Sequence, residues 1–161
     1  MERSKCLHCQ RTNYLPNGST KAKLLIVVDT PMLDDDRQGI IMSGRTGDIM
    51  RSELQRAGIQ PSVCRFVSLW MHEQVKGNTQ CVELGMKNLL KEMHNHPFIL
   101  IAGASAARSV LDDSLYDSVG IERKLVGYDA VVMAMPDPSK ISHMPIGETR
   151  LALEKMNRRM R

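Results

Sequence analysis

No stretch of this 161-residue sequence is apolar for long enough to cross a bilayer, and no charged-then-apolar leader precedes Cys6. Both absences point to a cytoplasmic protein with no membrane partner. Cysteine is scarce, at four residues. A chain of this length buries a real core without disulfides, so four cysteines in a cytoplasmic setting point to a metal or to buried thiols. Repeats and low-complexity segments are also missing, which leaves a single domain over residues 1–161. No Gly-x-Gly-x-x-Gly phosphate fingerprint appears, and this counts against a nucleotide binder. Charge is only mildly one-sided, with a net +4 and a pI near 9.0, which favours a polyanionic partner.

The run from Leu24 to Gly47, LLIVVDTPMLDDDRQGIIMSGRTG, organises the rest. Its apolar start reads as a short buried strand, and Asp29, Thr30 and Pro31 open it into a polar loop. The loop carries Asp34 to Asp36, then Gly39, Gly44 and Gly47, and enters a helix near Thr46. Glycines let a backbone approach a ligand closely, and a helix amino terminus offers free N–H groups to an anion such as phosphate.

Further strands are expected at Ser62 to Trp70, Phe98 to Ala102 and Ala130 to Met135, separated by helical patterns at 47–57, from Cys81 to Met93, and at 104–111. Gly147 to Met160 supplies a last helix with a basic tail, readable either as solvated surface or as a phosphate contact. Alternation in the second strand places Cys64, Phe66, Ser68, Trp70 and His72 on one face. Pro136 and Pro138 stiffen the loop around Asp137. Strands alternating with helices predict an α/β fold, a parallel sheet covered on both faces. The strand ends would then bring Asp29, the Ser68 to His72 region, Gly103 and Asp137 to one edge. Near the amino terminus, Cys6 and Cys9 form a Cys-x-x-Cys pair able to grip one metal from a single turn.

These features together resemble the uracil-DNA glycosylase superfamily, within it the iron–sulfur family 4 type. The likeness rests on Cys6-x-x-Cys9, on LLIVVDTPM with its acidic run, and on the Gly39, Gly44, Gly47 pattern. It also rests on Cys81 opening a helix and on the strand ending at Asp137-Pro138-Ser139. The resemblance implies a three-layer α/β/α fold with a central four-stranded parallel sheet, and DNA bound with one base turned out of the stack. It implies catalytic positions at Asp29 and Asp137, and base-pocket or DNA-binding positions at Thr30, Pro31, Met42, Gly44, Ser68 and Ser139. DNA is the implied partner, with repair or replication proteins beside it. A small family member of this kind also suits a phage-like source, in which case the compartment is the host cell's cytoplasm.

The chain departs from the family pattern at several of these places. Gly-Glu-x-Pro-Gly is replaced by Val28-Asp29-Thr30-Pro31-Met32, the aromatic residue that stacks on uracil aligns with Met42, and the base-reading asparagine aligns with Ser68. Asp137 stands where a histidine would steady the departing base anion. Losing one such donor costs about 10²–10³ in rate. The family's third cluster cysteine falls near Met71 or His72, which gives the metal set Cys6, Cys9, His72 and Cys81. Cys64 is the alternative to His72, although a straight strand would separate those two by roughly 26 Å. A 4Fe-4S cluster with one histidine ligand is the expected cofactor, and zinc is the alternative. Two functions follow: a DNA glycosylase acting on uracil or a modified base, or a degenerate DNA-binding accessory protein. A flavodoxin-like binder is the weakest reading.

Overall fold

A computed structural model describes residues 3–35, 38–141 and 146–161. The strands are β1 (Leu24–Val28), β2 (Cys64–Ser68), β3 (Phe98–Ala102) and β4 (Val131–Met135). All pair in parallel, in the order β2-β1-β3-β4. The helices are α1 (Arg45–Arg56), α2 (Thr79–Met93), α3 (Ala104–Leu111), α4 (Leu115–Ser118) and α5 (Gly147–Met160).

Every β1 residue is fully buried. The strand lies between β2 and β3 and has helices over both faces, so it has no polar side to show, hence its unbroken apolar run. Leu24, Ile26 and Val28 face Met50 and Leu54 of α1 and Leu153 and Met156 of α5. Leu25 and Val27 face Leu89 and Met93 of α2 and Ala106 and Ala107 of α3. This is the three-layer α/β/α arrangement. Burying each large aliphatic side chain contributes about 1.5–3 kcal/mol. Stability therefore resides in the sheet, and the loops at its carboxyl end are left for chemistry.

The sheet's outer edges are covered. Asn17 exchanges backbone hydrogen bonds with Phe66 of β2, at 3.0 and 2.7 Å. Val119 and Arg123 bridge to Ala134 and Val132 of β4. These short bridges protect strands that would otherwise present unpaired backbone to other chains.

β2 is shorter than its sequence suggests. A 3₁₀ turn at Pro61–Val63 delays its start to Cys64. At the other end the Ser68 hydroxyl donates to the Trp70 carbonyl, and the chain bends away although Leu69 N and Trp70 N still bond to Val28 O and Asp29 O at 2.8 and 2.9 Å. The expected common face therefore ends at Ser68. Cys64 and Phe66 pack in the main core, whereas Trp70 packs with Cys6 and Cys81. α2 begins at Thr79, placing Cys81 inside its first turn.

Candidate functional site at the strand ends and an adjoining Cys/His cluster

The carboxyl ends of the strands do meet along one rim. Asp29 leaves β1 with its backbone carbonyl held by Trp70 N, and its side chain reaches across to the start of α3. Oδ1 accepts from Ala106 N at 2.7 Å, and Oδ2 accepts from Ser105 N at 3.2 Å. The carboxylate thus caps a helix whose own N-cap residue, Gly103, has no side chain to do so. Glycine is required there: φ is +151°, and a Cβ would stand 2.5 Å from the Asp29 carboxyl carbon.

Burial pushes the Asp29 carboxyl above its ordinary range; the two α3 amides pull it down, Asp137 pushes it up and Lys140 pulls it down, with a net upward shift. Asp137 and Lys140 thus act on Asp29 through their charge. Asp137 Oδ1 accepts from Ser139 N at 2.9 Å, so this side chain caps the 3₁₀ turn Pro138–Lys140. Ser139 itself is exposed.

The amino terminus of α1 was expected to seat an anion, and it already holds one. Asp34 Oδ2 accepts from Thr46 N at 2.9 Å and from Thr46 Oγ1 at 2.8 Å. Gly44 packs so closely on this loop that a Cβ would lie 1.7 Å from the Asp34 carbonyl oxygen. Its role is to let the loop fold on itself rather than to admit a phosphate. Asp35 Oδ2 accepts from Met32 N at 2.9 Å. Asp36, the third acid of the run, lies outside the described residues.

Met42 also corrects an expectation. Its side chain is 0 % exposed in the core, its φ is +58°, and its carbonyl accepts from Arg51 at 2.8 Å. It presents no surface on which a base could stack. Pro31 is buried and Thr30 half-buried beside Asp29. Ser68 ends β2 opposite Val28, close to the rim, but its hydroxyl proton goes to Trp70.

Chemically, the rim offers one half-buried carboxylate with a second carboxylate and a lysine nearby. Each carboxylate oxygen carries about two acceptor positions, and Asp29 spends one per oxygen on α3. It retains capacity to hold a water or to face a cationic sugar. Sequence reading missed the α3 amides and Lys140. Gly103 preceding a small-residue helix was the available signal for the former.

Next to this rim stands a second constellation. Cys6 Sγ lies 3.6 Å from Cys81 Sγ, and Cys9 Sγ lies 3.3 Å from His72 Nε2. The ligand atoms of Cys6, Cys9, His72 and Cys81 are all within 4.8 Å of one another. The amino-terminal pair is shaped by a tight turn, with Cys6 N bonded to Arg11 O at 2.7 Å and Gln10 N to Cys6 O at 3.0 Å. His72 Nδ1 sits 2.8 Å from the Glu73 carbonyl, an acceptor that fixes the proton on Nδ1 and turns the Nε2 lone pair toward the thiols. Asn78 accepts from Cys81 N at 3.3 Å and so holds the start of α2 in place.

Burial alone would raise the Cys6 thiol, but the amides of Cys9 and His8 and the bonds to His72 and Cys81 bring it down to about 6. Burial, with Cys6 and Cys9 beside it, pushes the Cys81 thiol up to about 12. Three thiols and an imidazole this close could hold a metal ion, which would compensate for burying them together. Around a single tetrahedral ion, sulfurs at 2.3 Å from the metal stand about 3.8 Å apart. In a four-iron cluster each ligand binds its own iron, so the ligands stand farther apart. Cys64 is elsewhere: it starts β2, its thiol points at Gln60 O at 3.6 Å, and burial pushes it up to about 12.

A search among curated proteins returned no match. The family comparison is positive and begins after the Cys6–Cys9 pair, so it covers the sheet and rim but not the amino-terminal ligands. Its sequence model spans residues 15–161, and the chain belongs to the Uracil DNA glycosylase superfamily.

Proposed function

We propose that this chain binds DNA along the strand-end rim, holds a nucleotide turned out of the stack beside Asp29, and hydrolyses its N-glycosidic bond slowly. One observation carries the reading: Asp29 is held at the junction of β1 and α3 with unused acceptor capacity, within electrostatic reach of Asp137 and Lys140. The carboxylate would position the attacking water or steady the cationic sugar. Slow turnover follows from Asp137, which carries no hydrogen to donate to the departing base when ionised. Uracil, hypoxanthine and modified bases are the candidate substrates. Incubation with oligonucleotides bearing each base should yield alkali-labile abasic sites, and their absence across the panel would overturn hydrolysis.

A second reading, a DNA-binding accessory protein without catalysis, is favoured by the closed Met42 position and by the Ser68 hydroxyl being spent on Trp70. DNA binding that survives Asp29→Ala with no abasic product distinguishes it. In either case the Cys6, Cys9, His72 and Cys81 group holds a metal that pins the amino-terminal turn to α2 and to the segment between β2 and α2. The spacing favours one tetrahedral zinc over the 4Fe-4S cluster of a family 4 protein. Absorbance and metal analysis of anaerobically purified protein separate the two.

A further inference from the structure

The excess of positive charge lies in one stretch of the chain. Residues 3–28 carry Arg3, Lys5, Arg11, Lys21 and Lys23 with no acid; against 22 basic and 18 acidic residues in all, this leaves 17 and 18 elsewhere. Two of the five are committed. Arg3 bonds to Asn13 O at 2.8 Å and lies over the Tyr14 ring, and Lys23 bonds to Met160 O at 2.6 Å at the opposite end of the sheet. Lys5 and Arg11 are exposed on the turn that the Cys6 and Cys9 side chains tie down, and His8 is exposed between them.

The same turn holds Leu7 81 % exposed. Its backbone is fixed by the Cys6–Arg11 and Gln10–Cys6 bonds and by the Lys5–Thr12 bridge, so the leucine cannot fold back into the core. The turn also sits at the rim end of the molecule. Cys9 touches His72, Tyr14 N bonds to Met71 O at 2.6 Å, and Trp70 N bonds to Asp29 O at 2.9 Å. Two cations with no ion-pair partner among the described residues, flanking a rigid apolar tip, match the chemistry of a nucleic-acid strand, in which phosphates alternate with apolar sugar and base edges.

From this placement we infer that the Cys6–Cys9 turn is a second DNA-contact surface: Lys5 and Arg11 pair with phosphates flanking the nucleotide at the rim, and Leu7 packs on the adjoining sugar and base edge. The inference rests on the proposed DNA binding and adds a surface to it. The metal's contribution here is mechanical, keeping the turn rigid.

The test measures binding of a fluorescent uracil-containing duplex to the metal-loaded full chain across a salt series. Lys5→Gln with Arg11→Gln should weaken binding about tenfold and reduce the slope of log K against log salt by about 1.8, the value for two phosphate contacts. Leu7→Ser should weaken it several-fold with the slope unchanged. A charge-matched control, Lys21→Gln with Lys124→Gln, both exposed at the opposite end of the sheet, should bind as wild type. Metal content, measured for each variant, reports that the turn is intact. Wild-type affinity and slope in the turn variants, or an equal loss in the control, would overturn the inference and leave the proposed function standing. Failure of the unaltered protein to bind DNA would remove both.

Discussion

The Cys/His cluster and the strand-end rim lie side by side and treat their polar groups in opposite ways. In the cluster, Cys6, Cys9, His72 and Cys81 turn their ligand atoms toward one another, within 4.8 Å. Along the rim, Asp29, Asp34, Asp35 and Asp137 turn their carboxylates toward backbone amides of α3, α1, the following loop and the 3₁₀ turn. Four ligand atoms that converge on one point, even where Cys6 also takes backbone amides and His72 a carbonyl, are organised for something outside the chain. Acids bonded to helix ends first serve the fold, and only their remaining capacity is free for a ligand. The difference teaches that residue type at a strand end is weak evidence of chemistry until its hydrogen bonds are counted.

The largest expected effect breaks the cluster. Cys81→Ala removes one of the four proposed ligands, so bound metal should fall from about one equivalent to near zero in metal analysis, with a clear drop in Tm. His72→Cys, which keeps a donor, should retain the metal. On the rim, Asp137→His supplies a hydrogen-bond donor where the proposed chemistry lacks one, and abasic-site formation should rise about 10²-fold. An unchanged rate with intact folding would favour the accessory-protein reading.

Smaller effects test whether the rim acids serve the fold. Gly103→Ala drives a Cβ into the Asp29 carboxylate and should cost about 2 kcal/mol in denaturant unfolding. Asp29→Ala removes a cap from α3 and should cost about 1 kcal/mol. The smallest effect is in pH. Asp29 has a raised pKa in the folded chain, so its stabilising contribution is fully present below the unfolded carboxyl value and is lost as pH rises through the folded one. Asp29→Asn should therefore flatten the fall in stability above pH 4; an unaltered profile would mean that Asp29 is not the group responsible.

Much of the fold was legible because its signal is local. The unbroken run Leu24–Val28 announced a strand buried on both faces, and Gly58 marked the end of α1. Segment 112–130 carries no such local signal: α4 is one turn long, and Val119 and Arg123 join the sheet only by single bridges. The end of β2 was misplaced because the Ser68–Trp70 bond depends on how the chain bends after the strand. That bend carries His72 to the cysteines, which no period-2 count could anticipate.

The rim illustrates the same limit. Asp29 was identifiable as a polar residue closing an apolar strand, but its role as a cap for α3 joins positions 77 residues apart. The enclosure of Met42 and the bond from the Ser68 hydroxyl to Trp70 have a similar cause, since burial and a competing carbonyl are properties of the assembled loops.

By itself, then, the order of residues determined the strands, the layers and the candidate ligand types, because hydrophobic periodicity and turn chemistry act over a few neighbours. Tertiary structure alone decided which carboxylates cap helices, that the ligand atoms of Cys6, Cys9, His72 and Cys81 converge within 4.8 Å, and that Leu7, Lys5 and Arg11 stand exposed at the rim end. Those outcomes depend on where distant backbone amides and side chains come to lie, and only packing of the whole sheet against its helices sets those positions.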